Sequence, residues 1–398
     1  MAAKSTQSGD LEERIQKRVG ARVRELRQAI GMTTVVLAER AGISQGQLSK
    51  IENGKAALSV TVLTRLCQFF DRPVGYLFQS FDEMPRVLGT LTTVKGPENA
   101  GIQWFAEEVR RISNGSLSLL PLRPSQIGSA IAQVDQLKDG LIDLFVEEPF
   151  YYATFVPGFN AFALPYAFDS EPHRRTFIDS PFFRERLIEP LRQAGIRTIN
   201  RRWNWQRGLE WVLAANMPVV TPGDLRGLKV RIVDSELMRR FWRALGARPV
   251  AVPWAEVSGA LRSGDIDVLP THRAHLYPLK FCRHMRFVTL LGDLPPVLSV
   301  AVNEAKFQIL RPDIQNALIE ACDRAGDFFS EHIRQSEAEN EALNIARFKA
   351  AYLKVALDPW RVAVERVRSD LLAEGLLDPE TAASITAAVP PKEGESLK

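Results

Sequence analysis

Residues 221–268 read TPGDLRGLKVRIVDSELMRRFWRALGARPVAVPWAEVSGALRSGDIDV, and this stretch decides the fold of most of the chain. LRGLKVRIV has the composition of a strand, SELMRRFWRALG that of a helix, and ARPVAVPW is again extended. VSGALRSGDIDVLP then passes from helix back to strand. Strand–helix alternation at this rhythm predicts an α/β fold with a largely parallel sheet.

The rhythm continues outward from this core. Upstream lie LGTLTTVKG as a strand, GIQWFAEEVRRISNG as an amphipathic helix, SLSLLPLRP as a strand, AIAQVDQLKDG as a helix and DGLIDLFVE as a third strand. Downstream, residues 311 to about 353 and about 359–375 read as long helices. The α/β region is assigned to residues 89–385, with 386–398 as a flexible polar tail.

The first part of the chain has a different period. LEERIQKRVGARVRELRQAI places Ile15, Val19, Val23, Leu26 and Ile30 at helical spacing, and Gly31 ends the helix. Thr33 caps a second helix that Gly42 closes, and Ser44 caps a third, SQGQLSKIEN, that Gly54 stops. Helices follow from about Val60 to Phe70 and over PVGYLF. Two short helices joined through Ala41–Gly42–Ile43 predict helix-turn-helix geometry. Leu48 and Ile51 of the third helix face the core. Gln45, Gln47, Ser49 and Lys50 lie on its other face, suited to base edges or phosphates in a major groove. The fold class is therefore multidomain: an all-helical unit over residues 1–81, a linker over 82–88, and the α/β region.

Charge distribution agrees with a nucleic-acid partner for the first unit. Residues 1–80 carry 12 Lys/Arg and 7 Asp/Glu, a net of +5, against +4 for all 398 residues, so the rest sums to −1. The opening residues have no apolar core of a secretion signal, and no run approaches a membrane span, so a cytoplasmic protein without a membrane partner is expected. Cys67, Cys282 and Cys322 are scattered, which predicts three free thiols. No phosphate-binding glycine loop, dinucleotide fingerprint, metalloprotease motif or nucleophile elbow appears, so neither catalysis nor a cofactor is expected. His272 and His275 lie close in sequence but lack a cysteine partner, and are expected to be a partly exposed surface pair rather than metal ligands.

Two resemblances sharpen these expectations. LAERAGISQGQLSKIENGKAALSVTVLTRLCQFFDRPVGYLF resembles the lambda-repressor-like (XRE or Cro/C1-type) helix-turn-helix family. That resemblance implies a groove-facing set of Gln45, Gln47, Ser49 and Lys50, with Lys55 beside it. Thr34 stands where the family commonly has a glutamine, and Glu52 supports the fold. FAEEVRRISNGSLSLLPLRPSQIG, LKDGLIDL, VPGFNAFALPYAF and, above all, residues 221–268 resemble the DctP-like solute-binding proteins of TRAP transporters. This second resemblance implies two α/β lobes that close over an organic acid, and makes Arg231 after GLKV the ligand's carboxylate clamp.

By the same register Asp234, Trp254 and Thr271 are pocket positions, as are Glu148 after the third strand and Glu98 in a loop after the first. Many members have a second arginine in GFR before the next strand. Here the stretch is RGLEWVLAANMP, which puts Glu210 at that place, or Trp211 on a one-residue slip, and either way a cation is lost there. Fewer cations and more aromatic surface point to a monocarboxylate or a zwitterion rather than a small dicarboxylate.

Together these features predict a one-component transcriptional regulator. It binds an operator in double-stranded DNA as a homodimer, under control of a small organic acid effector. Two other possibilities are a DNA-tethered enzyme acting on an organic acid, and a DNA-binding protein whose second domain only assembles it.

Overall fold

Helix caps organise the first unit. The computed structural model describes residues 3–70, 74–78, 87–91, 96–122 and 128–388. It begins with α1 (Ala3–Ala29), α2 (Thr34–Ala41), α3 (Gln45–Glu52), α4 (Val60–Phe70) and α5 (Val74–Phe78). Thr33 and Ser44 cap α2 and α3 as expected, their hydroxyls accepting from Val36 N at 3.4 Å and Gln47 N at 3.2 Å. Gly42 ends α2 in the left-handed conformation (φ 70°). Gly54 also has positive φ, and a Cβ there would stand 2.5 Å from Lys17 Cα, so no larger residue fits.

Val19, Val23, Leu26, Leu37, Leu48 and Leu66 form the core of this unit. Arg27 ties α1 to α3 through two bonds to Glu52, Nε–Oε1 at 2.7 Å and Nη2–Oε2 at 2.9 Å. Glu52 is buried, as the expected fold-supporting role requires. The chain divides into two units, residues 1–86 with 305–316, and residues 87–304 with 317–398. Of the expected linker at 82–88, residues 82–86 lie outside the described residues, and 87 and 88 lie in a strand.

The second unit contains β1 (Val87–Leu91), α6 (Glu98–Ile112), β2 (Ser118–Leu122), β3 (Leu144–Glu147), β4 (Ile196–Thr198), β5 (Trp205–Gln206) and β6 (Trp211–Ala215). There follow β7 (Lys229–Ile232), β8 (Arg248–Ala251), β9 (Val268–His272), β10 (Phe287–Leu290), β11 (Val297–Asn303), α7 (Pro312–Phe348, whose first five residues belong to the first unit), β12 (Ala351–Lys354), α8 (Asp358–Ala373) and α9 (Pro379–Ala387). One sheet has the order β12-β10-β6-β9-β7-β8 and another β3-β11-β4, with β5 also on β11.

The expected largely parallel sheet is corrected. β7 pairs parallel with β8 and β9, but β6 runs antiparallel to both β9 and β10, and β11 is antiparallel to β3, β4 and β5. β6 and β11 enter directly from the other sheet, across residues 207–210 and 291–296. They are not returned by a helical crossover, which is the connection that makes neighbours parallel.

β6 is buried on both faces. Leu213 and Ala215 join one core with Phe241 and Trp360, while Val212 and Ala214 join another with Val257 and Leu269. The other lobe has its own core around Phe145, Phe159, Phe177 and Phe183. The long helix α7 stops at Phe348, so Leu353 lies in β12 and not in the helix expected there. α9 runs through Ala387, past the start of the expected tail, and residues 389–398 lie outside those described.

Candidate ligand-binding site

Strand ends and tight turns bring the charged groups together. Glu147 ends β3 and Glu148 follows it, just before the short 3-10 helix that carries Tyr151. Arg207 follows β5, Arg231 is the third residue of β7, and Thr271 and His272 close β9. Trp254 and His275 sit on short 3-10 turns. Functional groups at the ends of strands are the usual arrangement of open α/β sheets, because loops there are free to face a crevice.

Arg207 is the centre of the cluster and is only 5% exposed. Its Nη1 donates to Glu148 Oε1 at 2.8 Å and its Nη2 to Glu147 Oε2 at 3.0 Å. Its Nε stands 2.8 Å from Glu98 Oε1, off the N–H direction, so this contact is an ion pair without a hydrogen bond. Glu98 is buried (3% exposed) as the first residue of α6, not in the loop expected for it. It also takes His275 Nε2 at 2.6 Å, and His275 Nδ1 pairs with Thr271 Oγ1 at 3.3 Å. His272 Nε2 lies 2.9 Å from Glu148 Oε1. The two histidines are thus buried carboxylate partners, which corrects the expected exposed pair. They were polar residues at the end of a strand whose other positions are apolar, and the fold supplies their carboxylates from distant segments.

The electrostatics follow from burial and pairing. Burial alone would raise the Glu98 carboxyl, but His275 and Arg207 outweigh it and hold it below the usual range. Burial also opposes ionisation of Glu148, yet His272 and Arg207 bring it down to about 2. Glu147 goes the other way. Burial raises it, and the neighbouring Glu148 and Glu98 reinforce that against Arg207. Burial pushes His272 down to about 4 despite Glu148. At neutral pH His272 is therefore an uncharged ring that donates from Nε2 to the Glu148 carboxylate.

Arg231 is held but not used up. Its Nε donates to Val252 O at 3.0 Å and its guanidinium lies 5.4 Å from the Trp254 ring centroid. Neither Nη atom has a hydrogen-bond partner among the described residues. Burial depresses its pKa, with Tyr151, Glu147 and Glu148 acting in the opposite sense. An anchored guanidinium with a bare fork fits a carboxylate in the planar, two-bond manner.

Not every expected position joins this group. Asp234 is exposed and paired with Arg239. Glu210 is bonded to Arg273 at 3.1 Å and to Gly292 N at 3.2 Å. Trp211 faces His272 across the β6–β9 pair and lines, with Glu148, Phe162, Phe168 and Arg174, a cavity open to solvent. Arg231 does not line that cavity. Arg207, Glu147, Tyr151 and His272 were not anticipated. The cation missing at 210 is offset by one three residues earlier, and the only warning in the sequence was a Glu-Glu doublet directly after an apolar strand.

On the first unit Gln45, Gln47, Ser49, Lys50 and Lys55 are exposed, and half-buried Thr34 accepts from Gln45 Nε2 at 3.4 Å. The polar face of α3 is thus presented together.

Residues 88–369 match the family model of bacterial extracellular solute-binding proteins, family 7 (DctP). The chain belongs to the DctP family. Residues 23–77 match a helix-turn-helix model, so a helix-turn-helix unit is fused to the DctP domain. Among curated relatives, the 2,3-diketo-L-gulonate-binding periplasmic protein YiaO of Escherichia coli K12 is 27% identical over 275 residues, 69% of this chain and 81% of that protein. The sialic acid-binding periplasmic protein SiaP of Vibrio cholerae is 22% identical, covering 70% of this chain and 85% of that protein. A TRAP periplasmic solute-binding protein from Roseobacter denitrificans, solved with L-galactonate, superposes with a TM-score of 0.68 at 21% identity, covering 78% of this chain and all of that one.

The DctP domain is a solute-binding domain and not an enzyme, which removes the DNA-tethered enzyme from consideration. The expected cytoplasmic location is corrected as well. These relatives are periplasmic proteins, and the composition of the opening residues has no weight against them. Among the described residues no helix is long and apolar enough to cross a membrane.

Proposed function

We propose that the chain is a ligand-responsive one-component regulator, in which a small organic acid held by the DctP domain controls DNA binding by the helix-turn-helix unit. The observation that carries this reading is the bare fork of Arg231 beside Trp254, on the same chain as an exposed polar recognition helix. Arg231 takes the ligand carboxylate. Trp254 and Trp211 supply apolar walls, and Thr271, Glu98 and Glu148 shape the polar side through His275, His272 and Arg207. Asp234 and Glu210, each bonded to an arginine, act at the rim. A single helix-turn-helix covers few base pairs, so the active form is a homodimer on a two-fold operator, read by Gln45, Gln47 and Ser49 with Thr34, Lys50 and Lys55 on phosphates.

Calorimetric titration of the full chain with a panel of small organic acids tests the sensor half. Truncating a desolvated charge pair costs about 2–5 kcal/mol, so Arg231→Ala should weaken the best ligand by roughly 30-fold or more. Lysine at 231 should not restore it, because a point charge lacks the planar fork. A panel in which nothing binds, or in which Arg231→Ala binds as well as wild type, would remove the ligand from the proposal.

A further inference from the structure

Beyond Arg231, the cleft holds more acid than it uses. Glu147 Oε2 is taken by Arg207 and the Glu148 N–H, and Glu148 Oε1 by Arg207 and His272. The second oxygen of each carboxylate has no partner among the described residues. His272 is 7% exposed, its Nε2 is committed to Glu148, and its Nδ1 is buried without a partner. With the proton on Nε2, that Nδ1 is an acceptor. Three acceptors thus stand unused around the Arg207 cluster, and Glu147 and Glu148 are within electrostatic reach of Arg231.

The charge balance points the same way. Glu98, Glu147 and Glu148 face Arg207 and Arg231, three acids against two guanidiniums. Even with His275 counted as a cation the set is only neutral. A monocarboxylate adds a buried negative charge, a dicarboxylate adds two, and a zwitterion adds none. Uncompensated buried charge is costly for every ion, so this difference decides between ligand classes.

We infer that the ligand is a zwitterion, with its carboxylate on the Arg231 fork and a cationic N–H group held by the free oxygens of Glu147 and Glu148 and by His272 Nδ1. This inference rests on the sensor function proposed above and narrows it. The cationic group satisfies acceptors that a carboxylate or hydroxy acid leaves partly bare, and it relieves the repulsion between the adjacent glutamates. A ligand with a carboxylate alone must instead bring a proton to Glu147.

Matched pairs that differ only in the amino group test this on the full chain: L-proline against cyclopentanecarboxylate, L-phenylalanine against 3-phenylpropanoate, and 4-aminobutyrate against butyrate, with succinate beside them. The tightest ligand should be a zwitterion, and its partner without nitrogen should bind at least about tenfold more weakly. Glu147→Gln should weaken the zwitterion by about tenfold or more and leave its nitrogen-free partner bound at least as tightly as before, because glutamine stands in for the protonated acid. As a check independent of any variant, titration in two buffers of different ionisation enthalpy should show almost no proton uptake. Tighter or equal binding by a nitrogen-free acid, or uptake of about one proton with the tightest ligand, would overturn the inference and leave the sensor function standing. Failure of every compound to bind would overturn both.

Discussion

Arg207 Nη1 stands 2.8 Å from Glu148 Oε1, and this contact joins the end of β3 to the crossing segment after β5. The guanidinium is also shared with Glu147 and Glu98, so one cation holds one buried and two partly buried carboxylates. Removing it leaves them repelling one another with little water to screen them. Arg207→Met should destabilise the DctP domain by about 3–5 kcal/mol, the cost of breaking a buried ion pair from one side. Arg207→Lys should recover only part of this, since an ammonium cannot face three acids in one plane. Urea denaturation checks it, and an unchanged midpoint for Arg207→Met would contradict it.

Acid should act on the same cluster through two groups of equal sign. His272 is depressed from 6.5 to about 4 by burial, against Glu148. Glu148 is depressed from 4.5 to about 2, because His272 and Arg207 outweigh its burial. In both cases the unfolded chain binds the proton more readily. The stability they contribute is full above pH 6.5, and falls first between 6.5 and 4 and then between 4.5 and 2. Asp293, raised by burial from 3.8 to about 6, and Glu337, raised by burial from 4.5 to about 7, work in the opposite direction over those two intervals, as does Glu147, which burial also raises. A comparison with His272→Asn isolates one contribution. The stability of wild type relative to the variant should shrink as pH is lowered from 6.5 to 4. Urea midpoints at several pH values would show a constant difference if His272 is not held neutral.

The recognition helix makes a separate prediction. Gln45 and Gln47 are exposed on α3, and Leu48 and Ile51 hold that helix in the core. Glutamine reads adenine through two bonds, worth about 1–3 kcal/mol of discrimination per base. Gln45→Ala with Gln47→Ala should therefore relax sequence preference by roughly tenfold or more and leave the salt dependence of binding almost unchanged. Competition gel shifts on a selected duplex and a scrambled one measure this. Undiminished preference would show that α3 does not read the bases.

The parts of the molecule set by local sequence were legible in advance. Thr33, Ser44, Gly42 and Gly54 mark helix ends by chemistry within a few residues, and each does so in the structure. Arg231 was legible from the run around it, although its bare fork was not. The mixed sheet was hidden because strand direction depends on where the chain crosses between lobes, and a strand reads alike in either direction. The charged cluster was hidden for a similar reason. Glu98, Glu147, Arg207 and His272 come from four distant segments, and nothing local distinguishes a buried glutamate with a distant arginine from a solvated one. Asp234 stands apart from the cluster, paired at the surface with Arg239 five residues on.

The central claim is that one chain couples a ligand to DNA, and coupling is a free energy that must appear in both affinities. The most direct measurement is fluorescence anisotropy of a duplex that the full chain selects from a random pool, with and without saturating amounts of the tightest-binding small molecule. Coupling energies of about 1–3 kcal/mol are usual, so the ligand should change the DNA affinity of wild type by about fivefold or more. It should change that of Arg231→Ala not at all at the same concentration. An identical DNA affinity in wild type with and without bound ligand would contradict the account.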